Sequence, residues 1–385
     1  GVATAEAGIA IGIYAGYALT SGYENTIIGQ YAGKSGTGMN NTVLIGRQAG
    51  EDNTASSSHF VGFKAGAENT TGAGNMAEGY EALKTNTTGA YNTAIGYHAI
   101  YSNVHGYGNT ALGYAALADT AAADEAGYNV AVGYKTLEKL STGDENVGIG
   151  TQALAVLTTG TDNVAVGHQA LVSNITGADN TAIGWKAGED YLGGRMTAVG
   201  YSAGAGVSAN MGDGGFYGGA RAGYKALGDS NVALGQDSMY YQSGNKNIAI
   251  GNQAMYGNTS TTDGDHNIAL GYYALYSTTT GDKNIAIGAS SLDAQTTAHE
   301  NTAIGYAAGS ALTGQYNVLM GAGAAQSATS MTNSVIIGRQ AAGGATVEGD
   351  YNVMIGYQSA YSLTSAHSTT TVSYTHLTLP TILRV

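Results

Sequence analysis

A chain of 385 residues that holds 61 glycines, one proline and no cysteine is not composed like an ordinary globular domain, and it excludes a disulfide framework or a thiolate metal site. Its formal charge of -13 excludes a phosphate-binding surface, since nucleic-acid affinity rests on Lys and Arg clusters. No apolar run is long enough to span a membrane as a helix, so neither nucleic acid nor membrane is expected as a partner.

Gly1 opens the chain inside a repeat, with no initiator Met and no secretory h-region, which leads us to expect a piece of a longer protein. From Gly12 a glycine recurs through Gly29, Gly46, Gly62, Gly79, Gly96 and onward to Gly356 with a mean step of about 17 residues. Steps of 20 from Gly113 to Gly133 and from Gly251 to Gly271 predict loop insertions. A pair of packed helices needs a longer unit than this, and the Gly, Thr and Asn content disfavours helix. The period therefore predicts an all-β fold: a parallel β-solenoid of about 20 coils of 17 residues.

Within a unit, Asn92 to Ala99 reads NTAIGYHA and Asn129 to Thr136 reads NVAVGYKT. Period-two alternation places Thr93 or Val130, Ile95 or Val132, and Tyr97 or Tyr134 on one face, with alanine and glycine opposite. The residue just before the glycine is almost always Ile, Val or Leu and is expected to meet a second apolar column in a narrow core. That column holds Leu83, Ile100, Leu117, Leu137, Leu154, Leu171, Leu227, Leu275 and Leu292. The alanine and glycine strip, facing away from that core, would offer a flat surface along which chains associate.

Asparagine stands four before the glycine in 15 of the 21 units. Asn25, Asn92, Asn109, Asn129, Asn146, Asn163, Asn180, Asn231, Asn247, Asn267, Asn284, Asn301, Asn317 and Asn352 are expected to stack as a structural amide ladder. Aromatic residues follow the glycine at Tyr80, Tyr97, Tyr114, Tyr134, Trp185, Tyr201, Tyr272 and Tyr306. They are candidates for ligand contact, although a column covering one edge of the core is the favoured explanation. The pattern loosens between 188 and 228. The repeat domain is placed at 1–366, and 367–385 is expected to be a disordered or non-native tail. Val372 to Thr381, VSYTHLTLPT, resembles translated sequencing-adapter sequence.

The runs NVAVG at Asn129–Gly133 and Asn163–Gly167 and NIAIG at Asn247–Gly251 resemble the head repeats of trimeric autotransporter adhesins. The fuller N-T-A-I-G-Y-x-A-L unit is similar to repeats in bacterial and phage tail-fibre proteins. That resemblance implies a left-handed roll assembled as a homotrimer, placed outside the cell or on a virion tail, with a host surface protein or glycan as partner. The adhesin heads use a shorter unit.

His59, His98, His105, His168, His266 and His299 are scattered over repeat positions and predict no zinc site. Asp144, Asp265, Asp282 and Asp350 follow turn glycines and read as solvated turn residues rather than calcium ligands. No cluster of acid and base residues breaks the repeat, so no catalysis and no cofactor are expected. The expected function is a non-enzymatic extracellular fibre or adhesin head. A tail-fibre shaft acting as spacer is the first alternative. Ice binding is the second, with its threonine column (Thr26, Thr93, Thr110, Thr181, Thr302) interrupted by valine and expected to be buried.

Overall fold

The computed structural model describes residues 8–119, 126–206, 213–257, 263–344 and 346–372. It forms two compact units, Gly1–Asp213 and Gly214–Val385, whose division falls inside the span where the repeat loosens. The first carries three-residue strands from Ile9–Ile11 to Thr197–Val199, each parallel to the next. In the second, the same arrangement runs from Phe216–Gly218 to Thr370–Val372. The chain is thus an all-β parallel β-solenoid of about 20 turns of about 17 residues, with no helix among the described residues.

Backbone donors alternate along the stack. Thr93 N–H reaches forward to Asn109 O at 2.8 Å, whereas Gly96 N–H reaches back to Glu78 O at 2.8 Å. Turns are laddered in the same way: His98 N–H donates back to Tyr80 O and Ile100 N–H forward to Ala116 O. Three residues per coil bend the chain through left-handed conformations, as with Tyr91, His98 and Ile100 at φ of 60°, 54° and 46°. Such bends in non-glycine residues are costly one at a time, and the bonds to neighbouring coils hold them in place.

The recurrent glycine is required sterically. Gly96 sits at φ +134°, and a Cβ there would stand 2.3 Å from the carbonyl oxygen of Gly113 in the next coil. The longer steps leave strand register intact, with Ala111 opposite Ala131 and Ala249 opposite Ala269. The tips of those insertions lie outside the described residues.

The facing of the strands reverses the sequence expectation. Ala94, Ala131 and Ala165 are fully buried, while Leu112, Ile183 and Val199, each just before a repeat glycine, are 47%, 41% and 43% exposed. A three-residue strand between two tight bends points only its middle side chain inward, so one position faces the core and two face out. The column four after the glycine does fill the core, through Leu83, Ile100, Leu117, Leu137 and their equivalents. Leu227 is not part of it. It stands eight after Gly219 and is half-buried, and Gly223 takes the column's place.

The alanine strip is therefore interior and unavailable to a second chain. The threonine column is not buried either: Thr26, Thr93, Thr110, Thr181 and Thr302 are all partly exposed. Pairing also continues past 366, since Val353–Ile355 pairs with Thr370–Val372. The adapter-like segment begins in that last strand, and its remainder lies outside the described residues.

Candidate interaction surface

Two kinds of side chain leave the coil surface: the outer strand positions and the aromatic columns. Along the strand face, pairs such as Val164/Val166, Ile248/Ile250 and Ile285/Ile287 repeat coil after coil in register. Among the described strands the only formally charged residue at these outer positions is Glu78, with the imidazole of His59 nearby in the preceding strand. Ten strands at about 4.8 Å spacing, with a face about 10 Å wide, give roughly 500 Å² of nearly continuous aliphatic surface in one unit. That is within the size range of the largest apolar patch on a typical monomeric protein, a patch that is often functional.

The aromatic column after the glycine is a stack of rings. Phe63 and Tyr80 lie 5.1 Å apart, Tyr80 and Tyr97 5.0 Å, Tyr97 and Tyr114 5.2 Å, and Tyr114 and Tyr134 5.2 Å. Trp185 stacks on Tyr201 at 4.7 Å and on His168 at 6.1 Å. Tyr272 leans on its own neighbour Tyr273 at 4.0 Å, and Tyr306 is 66% exposed. Each inner ring covers its neighbours' faces, so these columns present edges and hydroxyls rather than open faces. A sugar ring could lie flat only at the end of a stack. Partial desolvation and then the phenols of Tyr80 and Tyr114 push the Tyr97 hydroxyl above its usual range.

A second aromatic column escaped the sequence reading. Tyr224, Tyr240, Tyr256 and Tyr276 stack at 4.9, 5.1 and 5.2 Å, each five residues after a repeat glycine, and that common offset was the available signal. Basic residues lie over these rings: Lys84 ammonium is 5.0 Å from the Tyr101 centroid, Lys186 4.8 Å from Trp185, and Arg221 5.5 Å from Tyr240. Arg221 also pairs with Asp237 at 2.8 Å.

The asparagines form a buried ladder. Asn163 Nδ2 donates to Gly177 O at 2.9 Å, and its Oδ1 accepts the backbone N–H of Asn180 at 3.1 Å. The same link recurs from Asn92 to Asn109, from Asn129 to Asn146 and from Asn267 to Asn284. The chief acceptor role is thus toward the next backbone N–H, with side-chain to side-chain bonds such as Asn180 Nδ2 to Asn163 Oδ1 at 3.0 Å added. A further ladder, absent from the sequence reading, runs through Asn53, Asn69, Asn86 and Asn103, with the last three amides each donating to the preceding one.

Several of the remaining polar candidates have local partners. Asp144 and Asp282 accept the N–H of Gly127 and Asp265 in the adjacent coil at 2.7 and 2.8 Å. His98 Nε2 faces Glu81 at 3.2 Å, and His105 Nδ1 lies 2.7 Å from the Thr88 hydroxyl. No three His, Cys, Asp or Glu side chains gather as a metal site among the described residues.

No protein-family model matches the chain, and no curated protein does either.

Proposed function

We propose that this chain is the repeat region of a non-enzymatic extracellular attachment fibre, in which three copies associate along the outward aliphatic strand face. The observation that carries this reading is the pair of uncharged Val, Ile and Leu columns exposed on that face, exemplified by Ile248 and Ile250 at 36% and 41%. A flat face of this kind can pack against further copies about a common axis, and the roughly 500 Å² on one unit is a large share of the about 800 Å² per partner that a stable interface buries. The number three comes from the likeness of the NVAVG runs to adhesin heads. With the aliphatic columns covered, tyrosine edges and hydroxyls remain to meet a surface protein or glycan.

Light scattering on the purified chain tests the assembly. A particle three times the 38.8 kDa chain mass supports the reading, and a monodisperse single chain at micromolar concentration contradicts it. The spacer and ice-binding alternatives are separated by a glycan or matrix-protein array and by thermal hysteresis. The threonine column favours ice weakly, since Thr93 is paired with Thr110 but Thr110 is then paired with Val130.

A further inference from the structure

We propose that the column Tyr80–Tyr97–Tyr114–Tyr134 is a site of oxidative cross-linking, at which a one-electron oxidant of the peroxidase class joins successive coils through dityrosine bridges. The column offers what that chemistry needs. Its rings lie 5.0, 5.2 and 5.2 Å apart and are inclined to one another by 6°, 4° and 15°. All four side chains are open to a reagent, at 44%, 43%, 46% and 47% exposure. Strand register fixes which rings meet, because Ala77, Ala94, Ala111 and Ala131 pair in sequence, three residues before each tyrosine.

Each phenol gives one electron and one proton to the oxidant and becomes a phenoxyl radical. Two neighbouring radicals join through the ring carbons beside their oxygens. Each ring then moves the hydrogen of its newly bonded carbon onto its oxygen and regains aromaticity. Two hydrogens leave in total, and hydrogen peroxide takes them up as water. The product ties one coil to the next in a chain that has no cysteine to do so.

Exposure alone would select other residues. Tyr91 is 73% exposed, but the equivalent positions in the coils before and after it are Gly74 and Gly108, so no tyrosine stands above or below it in that column. Phe63 already occupies the same column as Tyr80, stacked on it, which shows that phenylalanine is accommodated there.

The test is to oxidise the full chain with peroxidase and hydrogen peroxide, folded and, separately, after denaturation, then map the linked peptides. Folded chain is expected to yield the pairs Tyr80–Tyr97, Tyr97–Tyr114 and Tyr114–Tyr134 in a product that migrates as a single chain on a denaturing gel. Denatured chain is expected to yield scrambled pairs. In Tyr97→Phe the Tyr114–Tyr134 bridge persists and Tyr80 does not link to Tyr114. Bridges to Tyr91, a scrambled pattern from the folded chain, bridges formed only between chains, or oxidation without bridges would each overturn the proposal.

Discussion

The ring of Phe60 occupies the space that a side chain at Gly66 would need: a Cβ on Gly66 would stand 2.5 Å from Phe60 Cε2. The relation recurs at Leu44 and Gly50 and at Tyr217 and Gly223, and it inverts at Ala94 and Ile100 or Ala131 and Leu137. In these coils one core volume is filled either from the strand or from the turn, whereas at Ala182 and Gly188 or Ala303 and Gly309 both positions are small and side chains of adjacent coils, such as Leu171 and Leu319, reach in.

This sharing predicts a compensating pair. Gly66→Leu alone should overpack the coil and cost about 1–3 kcal/mol, and Phe60→Ala alone should cost about 3–5 kcal/mol. The double variant should recover most of the loss, because leucine takes the same left-handed conformation at Leu83, with φ 52° against 58° for Gly66. Urea denaturation of the four proteins in a double-mutant cycle checks the coupling.

The glycine column predicts intolerance of the smallest side chain. Gly113→Ala would put a Cβ 2.3 Å from the Gly133 carbonyl oxygen at φ +139°. We expect a cost of about 3 kcal/mol or more. Hydrogen exchange should show lost protection in the coils on either side, with distant coils unaffected, as nearest-neighbour stacking requires.

The asparagine ladder predicts a graded series. Asn163→Ala strips partners from the Asn180 N–H and the Gly177 carbonyl, both inside the stack, at a cost of about 1–3 kcal/mol for each group left unsatisfied. Asn163→Ser should lose less, since Ser334 holds the same place in its coil and accepts the Asn352 N–H at 3.0 Å. Thermal denaturation should rank the wild type first, serine next and alanine last.

Tyr217 predicts a dependence on alkaline pH. The side chain is 1% exposed, and burial pushes its phenol well above the ordinary value, so the folded state keeps a proton that the unfolded chain releases near pH 10. Its contribution is therefore fully present below pH about 10 and is lost as pH rises above that value. Tyr217→Phe should flatten the fall in stability of the Gly214–Val385 unit above pH about 10, read from denaturation midpoints across that range.

The period, the strand positions and the glycine column were legible in the sequence because each depends on spacing alone. Facing was not. Aliphatic side chains such as Ile95 and Leu112 usually belong to a core, whereas these strands are too short to turn more than their central residue inward. The inverse sizes of Phe60 and Gly66, set against Ala94 and Ile100, carried that information, but it means something only once the two positions are known to share space. The second tyrosine column and the Asn53 to Asn103 ladder were readable by the same glycine alignment that found the first ones.

The central claim is that consecutive coils lie in parallel register with the residues flanking the strand alanine turned outward. It is tested most directly by spin labels at Ile95→Cys and Leu112→Cys in this cysteine-free chain, where the two positions pair in adjacent strands. Labels one strand spacing apart, about 4.8 Å between backbones, should show strong spin exchange in the double variant and none in either single variant when labelled chain is diluted into an excess of unlabelled chain, which removes contacts between copies. A double variant whose spectrum is the sum of the two singles would contradict the stack.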